Sequence, residues 1–376
     1  MPTSNPLANP LLPLDSLVLA TGANGLIASH VTDQLLAYGY RVRGTVRSLS
    51  RSSYLTSLYT TRHGHSSRFS LHEIPDVSAP GTWDAAVKGV SAIAHVVGAT
   101  DLGVQDADES AAEELKWQVD LLEAARRAGT VESFVFTSSA WAAWTPGTKR
   151  GVKLTGDSWN DEAVELARDK SVPAEEKGMA GFMALKTLVE KGVWEWVSRE
   201  KPGFAFSAIL PDTVMGECLD PKNQGIPSTA GMVQWVWENK YVDVLDMMRP
   251  QWHVDCRDVG LLYVAVLATP PRVDRERIYA FGDRYSWFKV AEILGHLFPE
   301  RREQLAKVKN TGWDDTNVPV EQGEELLRRM GQDGWTKLEE SVKQNAESWL
   351  KLEKQGVTAH KYAGGFELRL EARGGR

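Results

Sequence analysis

Ser139 and Lys186 are the residues of this chain whose chemistry suits work on a carbonyl. Ser139 closes the apolar run "SFVFTSSA" (133–140). A hydroxyl at the carboxyl end of such a run can hydrogen-bond a substrate carbonyl, because open α/β sheets hold ligands at that edge. Lys186 lies one helix later, in "GMAGFMALKTLVEKGVWEW" (178–196), and adds a positive charge. A third feature, "TGANGLIA" (21–28), supplies glycines where a backbone must come close to an anion.

These residues need elements to hold them. "SLVLATG" (16–22) is a short apolar run ending at glycine, a buried strand signal. "LIASHVTDQLLAYG" (26–39) has apolar spacing of three and four and predicts a helix. "YRVRGTVR" (40–47), "SAIAHVVGA" (91–99), "SFVFTSSA" and "FAFSAILP" (204–211) predict further strands, with "AAEELKWQVDLLEAARRAG" (111–129) and the 178–196 segment as helices. Strands alternating with helices of this length predict a Rossmann-type α/β fold, a doubly wound parallel sheet. After Pro211 the alternation breaks. Helical patterns at 231–241, 288–298 and 320–330 stand without regular partner strands, while 255–268 and 277–283 read as one more helix and strand of the main sheet. The expected organisation is a dinucleotide-binding domain over 15–211 and 254–283. A smaller, discontinuous substrate lobe spans 212–253 and 284–350, with flexible tails at 1–14 and 355–376.

The turn at 21–28 sits between the first strand and the first helix, where a glycine pattern has a structural reason. Gly22 permits the tight turn and Gly25 lets the backbone approach a pyrophosphate, with Asn24, Leu26 and Ile27 completing the cradle at the helix N-terminus. Ala28 replaces a third glycine whose main use is close packing. An NAD site would carry Asp or Glu about 20 residues further on. Here "RGTVRSLSR" (43–51) offers Arg47 and Arg51 and no acid. A guanidinium suits a 2′-phosphate, so the expected cofactor is NADP(H). Asp76 is placed either to face the adenine amino group or to close a turn.

Taken together, "TGANGLIASHV", "RVRGTVRS", "FVFTSSA", "DSWN", "ALKTLVEKGVWEW", "FAFSAILPDTVMG" and "VDCRDVGLLYVAVL" resemble the extended short-chain dehydrogenase/reductases of the NAD-dependent epimerase/dehydratase superfamily. The likeness is to fungal and yeast aldehyde and ketone reductases and to plant dihydroflavonol-type reductases. In such enzymes a serine, a tyrosine and a lysine act as one unit. The resemblance implies that Ser139 polarises the carbonyl, that Lys186 holds the nicotinamide ribose, and that Pro211 flanks the ring. The tyrosine position falls on Phe182, and no tyrosine occurs between Tyr59 and Tyr241. The chain departs again at "ELKWQVDLL" (114–122), where Trp117, Gln118 and Asp120 replace the family's Gly-Thr pair and asparagine.

The expected activity is an NADP(H)-dependent reduction of a ketone or aldehyde, in secondary metabolism; with no hydroxyl at Phe182, the alkoxide needs another proton source, and Ser139, a water, a substrate hydroxyl or an acid such as Asp212 could serve. Two alternatives stay open. One is a non-redox cyclase, isomerase or dehydratase. The other is a protein that binds cofactor without catalysis, or a Tyr-to-Phe variant of an active reductase. Trp141, Met232 and Trp235 are set either to line a pocket for a bulky, apolar or aromatic substrate or to fill the core.

The chain of 376 residues is 42% apolar and 25% charged, with a net charge of −7. No basic stripe invites nucleic acid and no run of about 18 apolar residues invites a membrane. The histidines show no metal spacing. Cys218 and Cys256 cannot build a disulfide framework, which fits a reducing, cytoplasmic setting. The expected partner is a small-molecule substrate, with the protein a monomer or homodimer.

Overall fold

The computed structural model describes residues 7–64, 66–100, 102–147, 150–173 and 176–357. Its strands are β1 (Leu17–Ala20), β2 (Arg41–Val46), β3 (Phe69–Glu73), β4 (Ala92–His95), β5 (Ser133–Thr137), β6 (Ala205–Pro211), β7 (Thr213–Met215), β8 (Gln251–Asp255), β9 (Arg277–Ala280) and β10 (Asp283–Tyr285). Its helices are α1 (Leu26–Ala37), α2 (Leu49–Ser52), α3 (Tyr54–His63), α4 (Ala107–Ala128), α5 (Asp161–Arg168), α6 (Ala180–Glu200), α7 (Ser228–Glu238), α8 (Val242–Met247), α9 (Cys256–Ala268), α10 (Trp287–Leu297), α11 (Glu321–Arg329) and α12 (Leu338–Glu353).

Seven strands form one parallel sheet in the order β3-β2-β1-β4-β5-β6-β9. The chain reverses direction across the sheet between β1 and β4, whose register sets Val18 against Ala92 and Ala20 against Ala94. That reversal opens a crevice at the carboxyl ends of the two strands. Helices cover both faces, so β1, β4, β5 and β6 are almost wholly buried and read as continuous apolar runs. The short strands β7, β8 and β10 make a second sheet, β8 pairing parallel to β7 and antiparallel to β10. α7, α10 and α12 pack together beside it, whereas α11, which the sequence pattern assigns to the small lobe, lies against α9 and β9.

The expected tail at 1–14 is corrected where it is described. Leu7 and Leu12 are each 2% exposed, inside the core. Leu11 N–H donates to the Ala268 carbonyl at 2.8 Å, and the Tyr40 hydroxyl donates to the Leu12 carbonyl at 3.0 Å. The segment therefore closes the end of α9. Residues 1–6, and 358–376 of the expected second tail, lie outside the described residues. No described helix is long and apolar enough to cross a membrane.

One buried ion pair ties the start of β9 to α6. Arg277 of β9 meets Glu190 of α6 through two parallel bonds of 2.7 and 3.0 Å, with side chains only 6% and 1% exposed. Arg277 also donates to the carbonyls of Gly156 and Ser158, and its guanidinium lies 3.9 Å from the Trp159 ring centroid. Glu190 accepts from Ser138 Oγ at 2.6 Å and Trp194 Nε1 at 3.0 Å. Every polar atom of the carboxylate is thus used. Replacing Arg277 with Met strands a buried charge and is expected to cost about 3–5 kcal/mol in urea unfolding. The double variant Arg277→Met/Glu190→Met should recover part of that loss. A single-variant loss below about 1 kcal/mol would show the pair to be solvated.

Candidate active site

The dinucleotide turn follows β1. Gly22 has φ +67°, a left-handed conformation that favours glycine, and its N–H donates to Thr45 Oγ1 at 3.1 Å. β2 approaches the turn closely. A Cβ on Gly44 would stand 2.7 Å from Ala23 Cβ, so glycine at 44 is what lets the turn lie on the sheet. Gly25 begins α1 with extended backbone and no side-chain cap. The first-turn N–H groups of α1 therefore face outward at the positive end of the helix, with Asn24, Leu26 and Ile27 around them. Arg47 and Arg51 stand exposed beyond β2 and have no hydrogen-bond or ion-pair partner among the described residues. These features fit a phosphorylated dinucleotide. Asp76 closes a turn, accepting from Ser78 N at 2.8 Å and Ser78 Oγ at 2.6 Å, and those bonds lower its pKa.

Ser139 leaves β5 one residue after the anchored Ser138. Its Oγ accepts the Trp141 N–H at 3.2 Å, which leaves the hydroxyl hydrogen for another acceptor. Phe182 lies in the first turn of α6, 8% exposed, and meets the Trp141 ring edge to face at 5.9 Å. Lys186, one turn on, holds Nζ over the Phe182 ring at 5.3 Å from its centroid. The structure therefore brings together the Ser139 turn, Trp141, Phe182 and Lys186. Pro211 ends β6 at the same carboxyl edge of the sheet.

Behind Lys186 runs a buried polar chain. Lys186 Nζ is 3.7 Å from Glu114 Oε1, with the two side chains 14% and 4% exposed. Glu114 accepts from Ala99 N at 3.2 Å and Gln118 Nε2 at 3.1 Å. Gln118 Oε1 bonds His95 Nε2, and His95 Nδ1 lies 2.9 Å from Thr21 Oγ1. Thr21 Oγ1 in turn accepts from Val96 N and Val97 N. Burial pushes the His95 pKa down to about 4, so the ring is neutral near pH 7. Neutral His95 then donates from Nε2 to Gln118 and accepts from Thr21 at Nδ1. Gln118 had a signal in the sequence, as a departure at "ELKWQVDLL". Glu114 had only its spacing of four from Gln118 on one helix.

A second polar group lies past Pro211. Asp212 accepts from Trp252 N at 3.0 Å and Thr213 Oγ1 at 3.4 Å, and burial, reinforced by the nearby Asp314, holds its carboxyl pKa well above the usual range. Thr213 Oγ1 bonds the Tyr285 hydroxyl at 2.8 Å. Gln251 donates to Tyr285 at 3.2 Å and accepts from Trp141 Nε1 at 2.9 Å. Gln251 and Tyr285 went unread in the sequence. Met232 and Trp235 are buried on α7, with Trp235 packed 4.8 Å from the Tyr241 ring. A cleft of about 930 Å³ opens elsewhere, between Phe288, Ile293, Leu305 and Trp313, and none of Ser139, Phe182 or Lys186 lines it.

The comparisons agree with this architecture. Residues 18–222 match the NAD dependent epimerase/dehydratase family. Aldehyde reductase 2 of Sporidiobolus salmonicolor is 32% identical over 89% of this chain and 96% of that protein. Ketoreductase adrE of Penicillium rubens is 35% identical over 89% of this chain and 96% of its own. The crystal structure of Gre2 in complex with NADPH from Candida albicans shares the fold, with a TM-score of 0.73 at 22% identity over 90% of this chain and 99% of that one. The chain belongs to the NAD-dependent epimerase/dehydratase family.

Proposed function

We propose that this protein reduces an aldehyde or ketone carbonyl on a bulky apolar or aromatic small molecule, using NADP(H). The observation that carries the reading is the setting of Phe182. Lys186 lies over its ring and the Ser139 turn stands beyond Trp141, so the serine and lysine surround a ring of nearly the size of the missing tyrosine. The curated relatives named above are an aldehyde reductase and a ketoreductase, which favours the same chemistry. NADPH held at the glycine turn would supply the hydride. Gly22, Gly25 and the α1 N-terminus receive its pyrophosphate, Arg47 its 2′-phosphate, and Lys186 its ribose. Ser139 directs its free hydroxyl hydrogen to the carbonyl oxygen. Trp141 and Phe182 give an aromatic wall.

Phe182 cannot deliver a proton. Asp212, which follows the carboxyl end of β6, is the acid we propose for that task, since burial raises its carboxyl pKa well above the usual range.

Arg47→Ala should weaken NADPH binding by about 10-fold or more in calorimetric titration and leave NADH nearly unchanged, since a charge-assisted bond to the 2′-phosphate is lost. An equal loss for both would remove Arg47 as the reader of that phosphate. Phe182→Tyr should raise single-turnover NADPH oxidation with aromatic aldehydes or ketones, by about 10-fold where proton delivery limits the rate. Equal, robust rates in both forms would show that position 182 is not limiting. No oxidation in either form, with NADPH bound, would favour the non-redox reading.

A further inference from the structure

We propose that Glu114 is the positioning residue for Lys186, supplying beside the ammonium the anion that a tyrosine at 182 would otherwise provide. The proposal deepens the reductase reading and rests on it only where Lys186 is taken to meet the cofactor. Glu114 is the carboxylate that pairs with Lys186, at 3.7 Å, with Glu114 buried and the Lys186 side chain 14% exposed. A buried acid on a helix is not needed for packing, because an apolar side chain of similar volume fills such a site as well. Nor is it left to relax freely. Ala99 N and Gln118 Nε2 hold its oxygens, and Gln118 is held through His95 to Thr21 at the dinucleotide turn.

Gly98 shows how tightly the pair is enclosed. A Cβ there would stand 3.2 Å from Glu114 Oε1 and 3.3 Å from Lys186 Nζ. The loop after β4 thus closes over the ion pair and donates Ala99 N to it. Through this chain the place of the Lys186 ammonium is fixed relative to the turn that receives the pyrophosphate. With Phe182 offering only a ring face, Glu114 is the group that sets where Lys186 points.

A double-mutant cycle on NADPH affinity tests this, with fluorescence titration as the readout and thermal melting as the check on folding. Glu114→Gln should weaken NADPH binding by about 10-fold. Lys186→Met should weaken it at least as much. The double variant should bind no more weakly than Lys186→Met alone, because Glu114 acts through the lysine. Additive losses would overturn the proposal. So would a loss in Lys186→Met with none in Glu114→Gln, an outcome that leaves the reductase reading standing. If neither change affects NADPH, both the proposal and the cofactor role of Lys186 fail. Should Glu114→Gln not fold, Glu114→Asp keeps the charge and draws it back from the ammonium. It should lose affinity several-fold, and unchanged affinity would overturn the proposal.

Discussion

The bidentate pair between Arg277 and Glu190 is the constraint on which the candidate site depends. It joins the last strand of the main sheet to the helix that carries Phe182 and Lys186. Through Ser138 it fixes the residue before Ser139, and through two carbonyls it fixes the 156–158 loop. A charge pair in so dry a place tolerates little error in geometry, because each unpaired atom would carry a desolvation penalty. The pair therefore converts a permissive sheet edge into one with a defined spacing between β5, α6 and β9.

Two polar networks then flank the aromatic wall. One runs from Thr21 through His95, Gln118 and Glu114 to Lys186, and the other from Asp212 through Thr213, Tyr285 and Gln251 to Trp141. Phe182 lies between them, touching Trp141 on one side and Lys186 on the other. A phenyl ring in this place separates the two networks where a phenol would have joined the lysine's. That separation leaves Lys186 with the Glu114 network and Trp141 with the Gln251 network.

Much of this was legible in the sequence because local chemistry dictated it. The glycine turn needs a left-handed residue at Gly22, and buried strands such as β5 and β6 need unbroken apolar runs. What local chemistry does not dictate was missed. β3 is an edge strand, "FSLHE", with one buried residue, and carries too weak a pattern to stand out from a loop. β7 and β10 are three residues long and are defined only by their pairing with β8. Leu7 and Leu12 lie in a proline-rich stretch that reads as a tail until α9 is in place beneath it. Glu114 looks like part of the solvated face of an amphipathic helix, and only the position of β4 and α6 shows that this face is buried.

Hydride transfer itself is the most direct measure of the account. With NADPH carrying deuterium at the transferable position of the nicotinamide and an aromatic ketone as substrate, mass spectrometry of the product reads the result. One deuterium is expected on the carbinol carbon of an alcohol, with cofactor oxidised in equal amount. A product rearranged or dehydrated without deuterium, and with the cofactor still reduced, would contradict it.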